Sequence, residues 1–298
     1  MTSPDGAPFL ILANAGAGTA EESLQRALAQ FALRKAHVDL RFPEDADAAG
    51  AMIREAAGRV RAVVLAGGDG TISSALPALL ETGQTLGVLP LGTANDFARS
   101  LQIPLDPVQA TDVVVDAPPV DIDVGLINER PFINVASLGV AVEVARRQAA
   151  AEGRKHFWGS LSYLLSTVEV LAEAEPFEAT VTCDAETIEV RAYQIAIGNG
   201  IHYGGGLTIR EDARIDDGWL DVYAIETESV AQLVALAPSL KRGTLHQSEQ
   251  VRTWRCHSVK IETSRTMPTN VDGDIGPETP IEVSQKPGAL SVIRPPVV

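Results

Sequence analysis

Gly67-Gly68-Asp69-Gly70-Thr71 decides how this chain is read. It follows Arg61-Ala62-Val63-Val64-Leu65-Ala66, an apolar run short enough for a buried strand. It precedes Ile72-Ser73-Ser74-Ala75-Leu76, which reads as the opening of a helix. A strand, a glycine turn and a helix N-terminus together make an anion site. Glycine lets the backbone approach an oxygen closely, and the first helical N–H groups point at negative charge. Asp69 is out of place in a loop that only grips phosphate, because like charges repel. It fits a loop where a divalent cation, or donors on a nucleotide, lie between the two. The competing reading is a tight strand-to-helix connection with a capping aspartate; the string and its setting favour phosphate.

Outward from this loop the first half alternates strand and helix. Residues 9–13 read as a strand leading into Asn14-Ala15-Gly16-Ala17-Gly18, and 20–35 have helical spacing at Leu24, Leu28, Phe31 and Ala32. Val38 to Phe42 reads as a strand, Ala46 to Gly58 as a helix, and 62–66 as the strand before the glycine loop. A helix follows over about 72–81, with Pro77 against it. Leu86 to Leu89 is a further strand ending at Pro90-Leu91-Gly92-Thr93-Ala94-Asn95-Asp96. Such alternation implies a parallel sheet covered by helices, with ligands at the C-terminal strand ends. Near Ala117-Pro118-Pro119 the pattern changes. Strand-like segments at 120–127, 131–136, 177–183, 187–197, 219–225, 251–262, 279–284 and 289–293 imply a mainly antiparallel domain. Asp184-Ala185-Glu186 reads as a hairpin turn. Helices are expected over about 157–173 and 228–241, the second capped by Thr227 or Ser229.

The chain has 298 residues, room for two cores; the expected division is 1–125 and 126–293, with 294–298 returning to the first unit. No apolar stretch approaches the ~20 residues that span a bilayer, and Met1 to Pro8 lacks the marks of a signal peptide. Cys183 and Cys256 have no metal-ligand spacing and read as reduced core thiols of a cytosolic protein. The net charge of −15 argues against a broad nucleic-acid surface and against global attraction to anionic membranes. Arg146, Arg147, Arg154, Lys155 and His156 form a local basic patch that could still dock, with a solvated helix end as the competing reading.

No P-loop lysine motif, nucleophile elbow, His-Glu-x-x-His or Cys-x-x-Cys occurs, and Glu21 replaces the third glycine of a dinucleotide fingerprint. The positive signals are glycine loops and late carboxylates. In Leu91 to Arg99, Thr93 can cap a helix or touch a phosphate, and Asp96 and Arg99 share a helical face. Gly198-Asn199-Gly200 and Gly204-Gly205-Gly206 flank Tyr203. Ile215-Asp216-Asp217-Gly218-Trp219-Leu220-Asp221 offers closely spaced oxygens for a hard cation, or a metal-free turn. Asn270-Val271-Asp272-Gly273-Asp274 places acids around a turn, where a carboxylate could accept a proton from an alcohol.

These strings resemble the diacylglycerol kinase catalytic-domain family, in its bacterial YegS/DgkB-like lipid kinase branch. The marks are Asn14 with Gly16 or Gly18, Gly67 to Thr71, Pro90 to Arg99, Phe132-Ile133-Asn134-Val135-Ala136-Ser137-Leu138-Gly139, the 198–206 glycines, Asp217-Gly218 and Asp272-Gly273-Asp274. The loop at 67–71 alone is shared with NAD kinases and 6-phosphofructokinase-like enzymes. The string at 90–97 is more specific to lipid kinases.

The resemblance implies a three-layer parallel-sheet nucleotide domain, a C-terminal antiparallel β-sandwich, and an active site in the cleft between them. ATP would lie on Gly67, Gly68, Asp69, Gly70, Thr71, Ile72, Ser73 and Ser74, with Asn14, Thr93 and Asn95 nearby. Asp69 would act through nucleotide and Mg2+, and Asp96 would belong to the same network. A structural magnesium would use the Asp217 carboxylate and backbone oxygens of Arg214 and Trp219. Asp272 or Asp274 would supply the proton acceptor. Three departures stand out: the 14–18 loop lacks the family's Pro and Ser, Phe42 replaces a polar nucleotide contact, and Asp274 is one methylene shorter than the family's Glu.

The function expected is an ATP- and Mg2+-dependent kinase acting on a lipid hydroxyl. Alternatives are an NAD kinase-like enzyme with a soluble acceptor, and a nucleotide- or lipid-binding relative without catalysis. Expected partners are a lipid alcohol and, transiently, a membrane surface, with no nucleic acid. A homodimer is left open, as is a place at the inner membrane face rather than free in the cytoplasm.

Overall fold

The computed structural model describes residues 6–14, 19–152, 173–203, 207–208, 210 and 212–296. The helix expected over about 157–173, Gly16, Gly18, Gly204 to Gly206 and the basic residues Arg154, Lys155 and His156 lie outside them, except for residue 173.

The elements of the first half are β1 (Phe9–Ala13), α1 (Thr19–Leu33), β2 (Val38–Arg41), α2 (Ala46–Ala56), β3 (Ala62–Gly67), α3 (Asp69–Thr82), β4 (Leu86–Pro90), α4 (Asp96–Ser100) and α5 (Pro107–Asp116). Strands β2, β1, β3 and β4 lie side by side in that order, all parallel. Every residue of β1 and β4 is buried, which requires cover on both faces. Helix α1 packs on α5 and α2 on α3. Side chains of Asp45 and Asp106 cap α2 and α5. Helix α3 starts at Asp69, earlier than expected, so the aspartate of the glycine loop is its first residue, and the helix runs through exposed Pro77.

The second half continues with β5 (Pro119–Ile127), β6 (Arg130–Phe132), β7 (Val135–Gly139), α6 (Val140–Glu152), β8 (Phe177–Cys183), β9 (Glu186–Ala192), β10 (Gln194–Gly198), β11 (His202–Tyr203), β12 (Leu207–Thr208), β13 (Leu220–Ile225), α7 (Val230–Ala235), α8 (Ala237–Arg242), β14 (Val251–Cys256), β15 (Ser258–Thr263), β16 (Pro268–Val271), β17 (Asp274–Glu278) and β18 (Ile281–Ile293). One antiparallel sheet has the order β14-β13-β10-β7-β16-β17. It faces β5, β6, β8, β9, β15 and the first part of β18. The buried side chains between them, among them Phe132, Val181, Ile195, Val222, Ile261 and Ile281, form a β-sandwich core.

Several segments that read as one strand are two. The segment 187–197 turns at Tyr193 and 251–262 at His257; in both, the halves belong to different sheets. The segment 131–136 breaks at Ile133 and Asn134. Conversely 281–284 of the expected segment 279–284, and 289–293, are parts of β18, with an irregularity between Lys286 and Leu290. The helix expected over 228–241 is α7, capped by Ser229, and then α8. Cys183 and Cys256 are buried and reduced, as expected. Strand β18 pairs antiparallel with β15 and β5 and, at Val292, parallel with Leu86 of β4, so one sheet is continuous from the parallel layer into the sandwich.

Candidate active site

The two glycine loops meet backbone to backbone. A Cβ on Gly92 would collide with Cα of Gly68, and a Cβ on Gly67 with Oγ1 of Thr71. Leu91 N–H donates to Gly67 O at 3.0 Å, and Asn95 closes its own turn through Gly92 N and Gly92 O. Asn95 adopts a left-handed conformation at φ 53°, which suits asparagine. Asp69 joins the loops. Its Oδ2 accepts from Asp96 N at 3.0 Å and its Oδ1 from Phe97 N at 2.8 Å, so a carboxylate on α3 caps α4 from across the site.

Asn134 reaches the same carboxylate from the sandwich side, Nδ2 to Oδ1 at 3.4 Å. The break between β6 and β7 that holds Asn134 has a definite cause. Ile133, Asn134 and Val135 aim three successive N–H groups at the Asp272 carboxylate, at 2.8, 2.9 and 3.0 Å. Regular pairing is given up there to bind one anion. Ser73 Oγ on α3 donates to Asp272 Oδ2 at 3.3 Å, the second polar link from α3 across to the sandwich. Burial pushes the Asp272 carboxyl above the ordinary aspartate range, while those N–H groups and Ser73 pull the other way. Asp274 differs: its side chain is 73% exposed, with Arg130 Nη2 at 3.4 Å.

The network continues through residues not singled out in the sequence. Asn199 Nδ2 donates to Asp123 O and Ile133 O, at 3.0 and 3.1 Å. Asp123 is buried, and its two oxygens accept from Gly218 N and Gly288 N, both at 2.8 Å. An aspartate between Ile122 and Val124 inside an alternating strand was the available signal. Asn199 lay in a quoted glycine string, without a role.

The expected nucleotide residues gather on the first half. Asn14 Nδ2 donates to Thr71 Oγ1 at 3.3 Å and Ser74 Oγ to Thr71 O. Ile72 is buried in the core, so only its backbone serves a ligand; Thr93 and Gly70 are exposed. A cleft of ≈ 530 Å³ opens at the C-terminal ends of β1 and β3, lined by Asn14, Phe42, Thr71 and Ser74 among others. Half-exposed Phe42 offers it an apolar face.

Two places were expected to hold magnesium. Around Asp69 the residue types suit a hard cation: Asp69 and buried Asp96 are carboxylates adjacent through the Asp96 N–H, and Asn134, whose Nδ2 donates to Asp69, has its Oδ1 buried without a partner. At Asp217 they do not fit. Asp217 Oδ2 lies 2.5 Å from Arg255 Nη2, Oδ1 accepts from Trp219 N, and Trp219 O accepts from Gln285 Nε2 at 3.2 Å. The guanidinium of Arg214 pairs with Asp216 at 2.9 Å.

Comparison with known proteins places these features in a family. The diacylglycerol kinase catalytic domain matches residues 8–127, and the YegS C-terminal NAD kinase beta sandwich-like domain matches 134–294. The diacylglycerol kinase of Mycobacterium tuberculosis is 34% identical over 78% of this chain and 77% of its own length. That of Bacillus subtilis is 30% identical over 78% and 77%. A solved Bacillus anthracis structure, described as a diacylglycerol kinase, superposes with a TM-score of 0.82 at 25% identity, covering 97% of this chain and 96% of that one. Among the described residues no helix is long and apolar enough to cross a membrane.

Proposed function

The chain belongs to the diacylglycerol kinase catalytic-domain family, in its YegS/DgkB-like branch, and from that premise we propose that it transfers the γ-phosphoryl group of ATP to the hydroxyl of a lipid alcohol such as diacylglycerol or phosphatidylglycerol. The observation that carries this reading is the Asp272–Gly273–Asp274 turn. Asp272 is held by three backbone N–H groups and by Ser73, in the helix that opens with the glycine loop. That leaves Asp274, two residues on, as an exposed carboxylate with Arg130 Nη2 at 3.4 Å.

In this reading the first unit, 1–125, holds the nucleotide and the second, 126–293, presents the acceptor. Gly67 to Ser74 supply backbone N–H groups and hydroxyls to the phosphates, with Asn14, Thr93 and Asn95 at the rim, and Phe42 gives the base a flat apolar surface. Asp69 and Asp96, with Asn134 Oδ1, would hold Mg2+, which when bound neutralises charge on the transferring phosphoryl group. Asp274 takes the proton of the attacking alcohol, and Asp272 is the positioning residue that aims the turn. The acceptor is membrane-borne, so the chain meets a membrane surface transiently during turnover.

The test is transfer from radiolabelled ATP to a panel of lipid alcohols in mixed micelles, with NAD as a soluble acceptor, for wild type and Asp274→Asn. Label is expected in a lipid and not in NADP, with kcat for Asp274→Asn lower by roughly 10²–10⁴ and an unchanged fold by circular dichroism. Label in NADP would move the chain to a soluble acceptor. Nucleotide binding without turnover on any acceptor would make it a non-catalytic relative. Equal rates for both proteins would remove Asp274 from the mechanism.

A further inference from the structure

Residues 215–221 have the oxygen-rich spacing of a hard-cation loop, yet their carboxylates already have cations, and these belong to the chain. Arg255 stands opposite Asp221 in the β13–β14 register. Its Nη2 donates to Asp217 Oδ2 at 2.5 Å, and its Nε lies 3.1 Å from Asp221 Oδ1, a charge contact in which that buried oxygen gains no hydrogen bond, so one guanidinium lies between the acids on either side of Trp219. The guanidinium carbon lies 5.7 Å from the Trp219 ring centroid, and Trp219 stacks on His257 at 3.9 Å. His257 Nδ1 in turn lies 2.7 Å from Gly218 O.

The remaining acids of the cluster are matched in the same way. Asp216 lies 2.9 Å from Arg214 and 2.8 Å from Arg294, and Asp212 lies 2.8 Å from Arg210. Asp212, Asp216, Asp217 and Asp221 therefore face Arg210, Arg214, Arg255 and Arg294, and the formal charge of these ion-paired groups closes at zero. Asp123, beneath the turn, is satisfied by the N–H groups of Gly218 and Gly288. A divalent ion at Asp217 would have to displace Arg255 from the oxygen it holds and then face it as a like charge.

We propose that Arg255 is the resident cation of this turn: its guanidinium takes the place of a structural divalent metal at Asp217. The turn then keeps its shape without metal, and with it the bond from Gly218 N to Asp123. Arg255 is a positioning residue, and the inference does not depend on which acceptor is phosphorylated.

The test counts Mn2+ bound to the nucleotide-free full chain by electron paramagnetic resonance. Wild type and Asp217→Asn are expected to bind the same number of ions, with Kd values within about twofold of each other. Loss of one equivalent in Asp217→Asn overturns the proposal. Arg255→Ala is expected to gain one equivalent, which the double variant with Asp217→Asn loses again. Its melting temperature, lowered in EDTA, is expected to rise by about 2–4 °C in millimolar Mg2+. A folded Arg255→Ala that gains neither also overturns it. If Arg255→Ala does not fold, wild type against Asp217→Asn decides alone. Ions held near Asp69 contribute equally to both proteins, so they do not blur the count.

Discussion

At the residue scale the site rests on side chains that are absent as much as on those present. Gly92 and Gly70 both lie in glycine loops, yet their surroundings differ. A methyl on Gly92 would collide with Cα of Gly68 and come within 2.8 Å of Asn95 Oδ1, while one on Gly70 would meet nothing within 4 Å. The obstacle at Gly92 is backbone that Asp69 and Asn95 pin in place, so it cannot swing aside as a flexible side chain would. Gly92→Ala is therefore expected to cost about 1–3 kcal/mol. Gly70→Ala, in the first turn of α3, is expected to be neutral or to stabilise by about 0.5–1 kcal/mol, since alanine loses less entropy in a helix. Urea unfolding of both variants checks this, and equal losses would mean that the loops do not touch as described. Asp69, Asp272 and Asp274 stood out in the sequence because each adjoins a glycine. Asp123 did not, because a single acid in an alternating strand is most often a solvent-facing residue. Its burial comes from β18, some 165 residues away in the chain through Gly288.

At the element scale the informative feature is the interruption of a strand. Residues 131–136 read as one strand, and the lone polar residue Asn134 does not by itself mark a break. The break is made by Asp272, whose carboxylate collects three N–H groups that a continuous strand would have given to neighbours. Asp272→Asn keeps the size but turns one acceptor into a donor, so at least one of those N–H groups faces another donor. The variant is expected to lose about 1–3 kcal/mol in urea unfolding, and kcat with it, because Asn134 and Asp274 are both set by this contact. Unchanged stability would mean that the carboxylate is not what holds the break. The same reasoning explains which elements were legible. Parallel strands and helices α1 to α3 were readable because each is decided by its own apolar run; α5 was not, although Asp106 caps it and Pro107 opens it, because its ten residues carry too short an apolar pattern. The turns at Tyr193 and His257 were not, because alternation continues across them while the chain passes from one sheet to the other. Period-2 patterning reports that a face is buried, not which sheet buries it.

At the scale of the whole molecule β18 decides how the two halves depend on each other. Its Ile281 and Val283 lie in the sandwich core, and its Leu290, Val292 and Ile293 in the core of the parallel layer. Antiparallel pairing with β5 runs along nearly its whole length, and Arg294 beyond it pairs with Asp216. A chain of this size would ordinarily be expected to unfold domain by domain. Here neither core can lose β18 without exposing apolar side chains of the other, so unfolding is expected to be a single transition. Of the three tryptophans, Trp219 and Trp254 lie in the sandwich half and report it by fluorescence once Trp158, which lies outside the described residues, is replaced by Phe, while far-UV circular dichroism draws heavily on α1 to α5 in the first half. The two urea curves are expected to share one midpoint. Val292→Ala removes a fully buried side chain from the parallel layer and is expected to cost about 2 kcal/mol. Because the strand is shared, that loss should lower the fluorescence midpoint as much as the dichroism midpoint, although neither Trp219 nor Trp254 belongs to the core that was changed. A dichroism midpoint that falls while the fluorescence midpoint stays would show that the halves unfold independently and that β18 is only a tether.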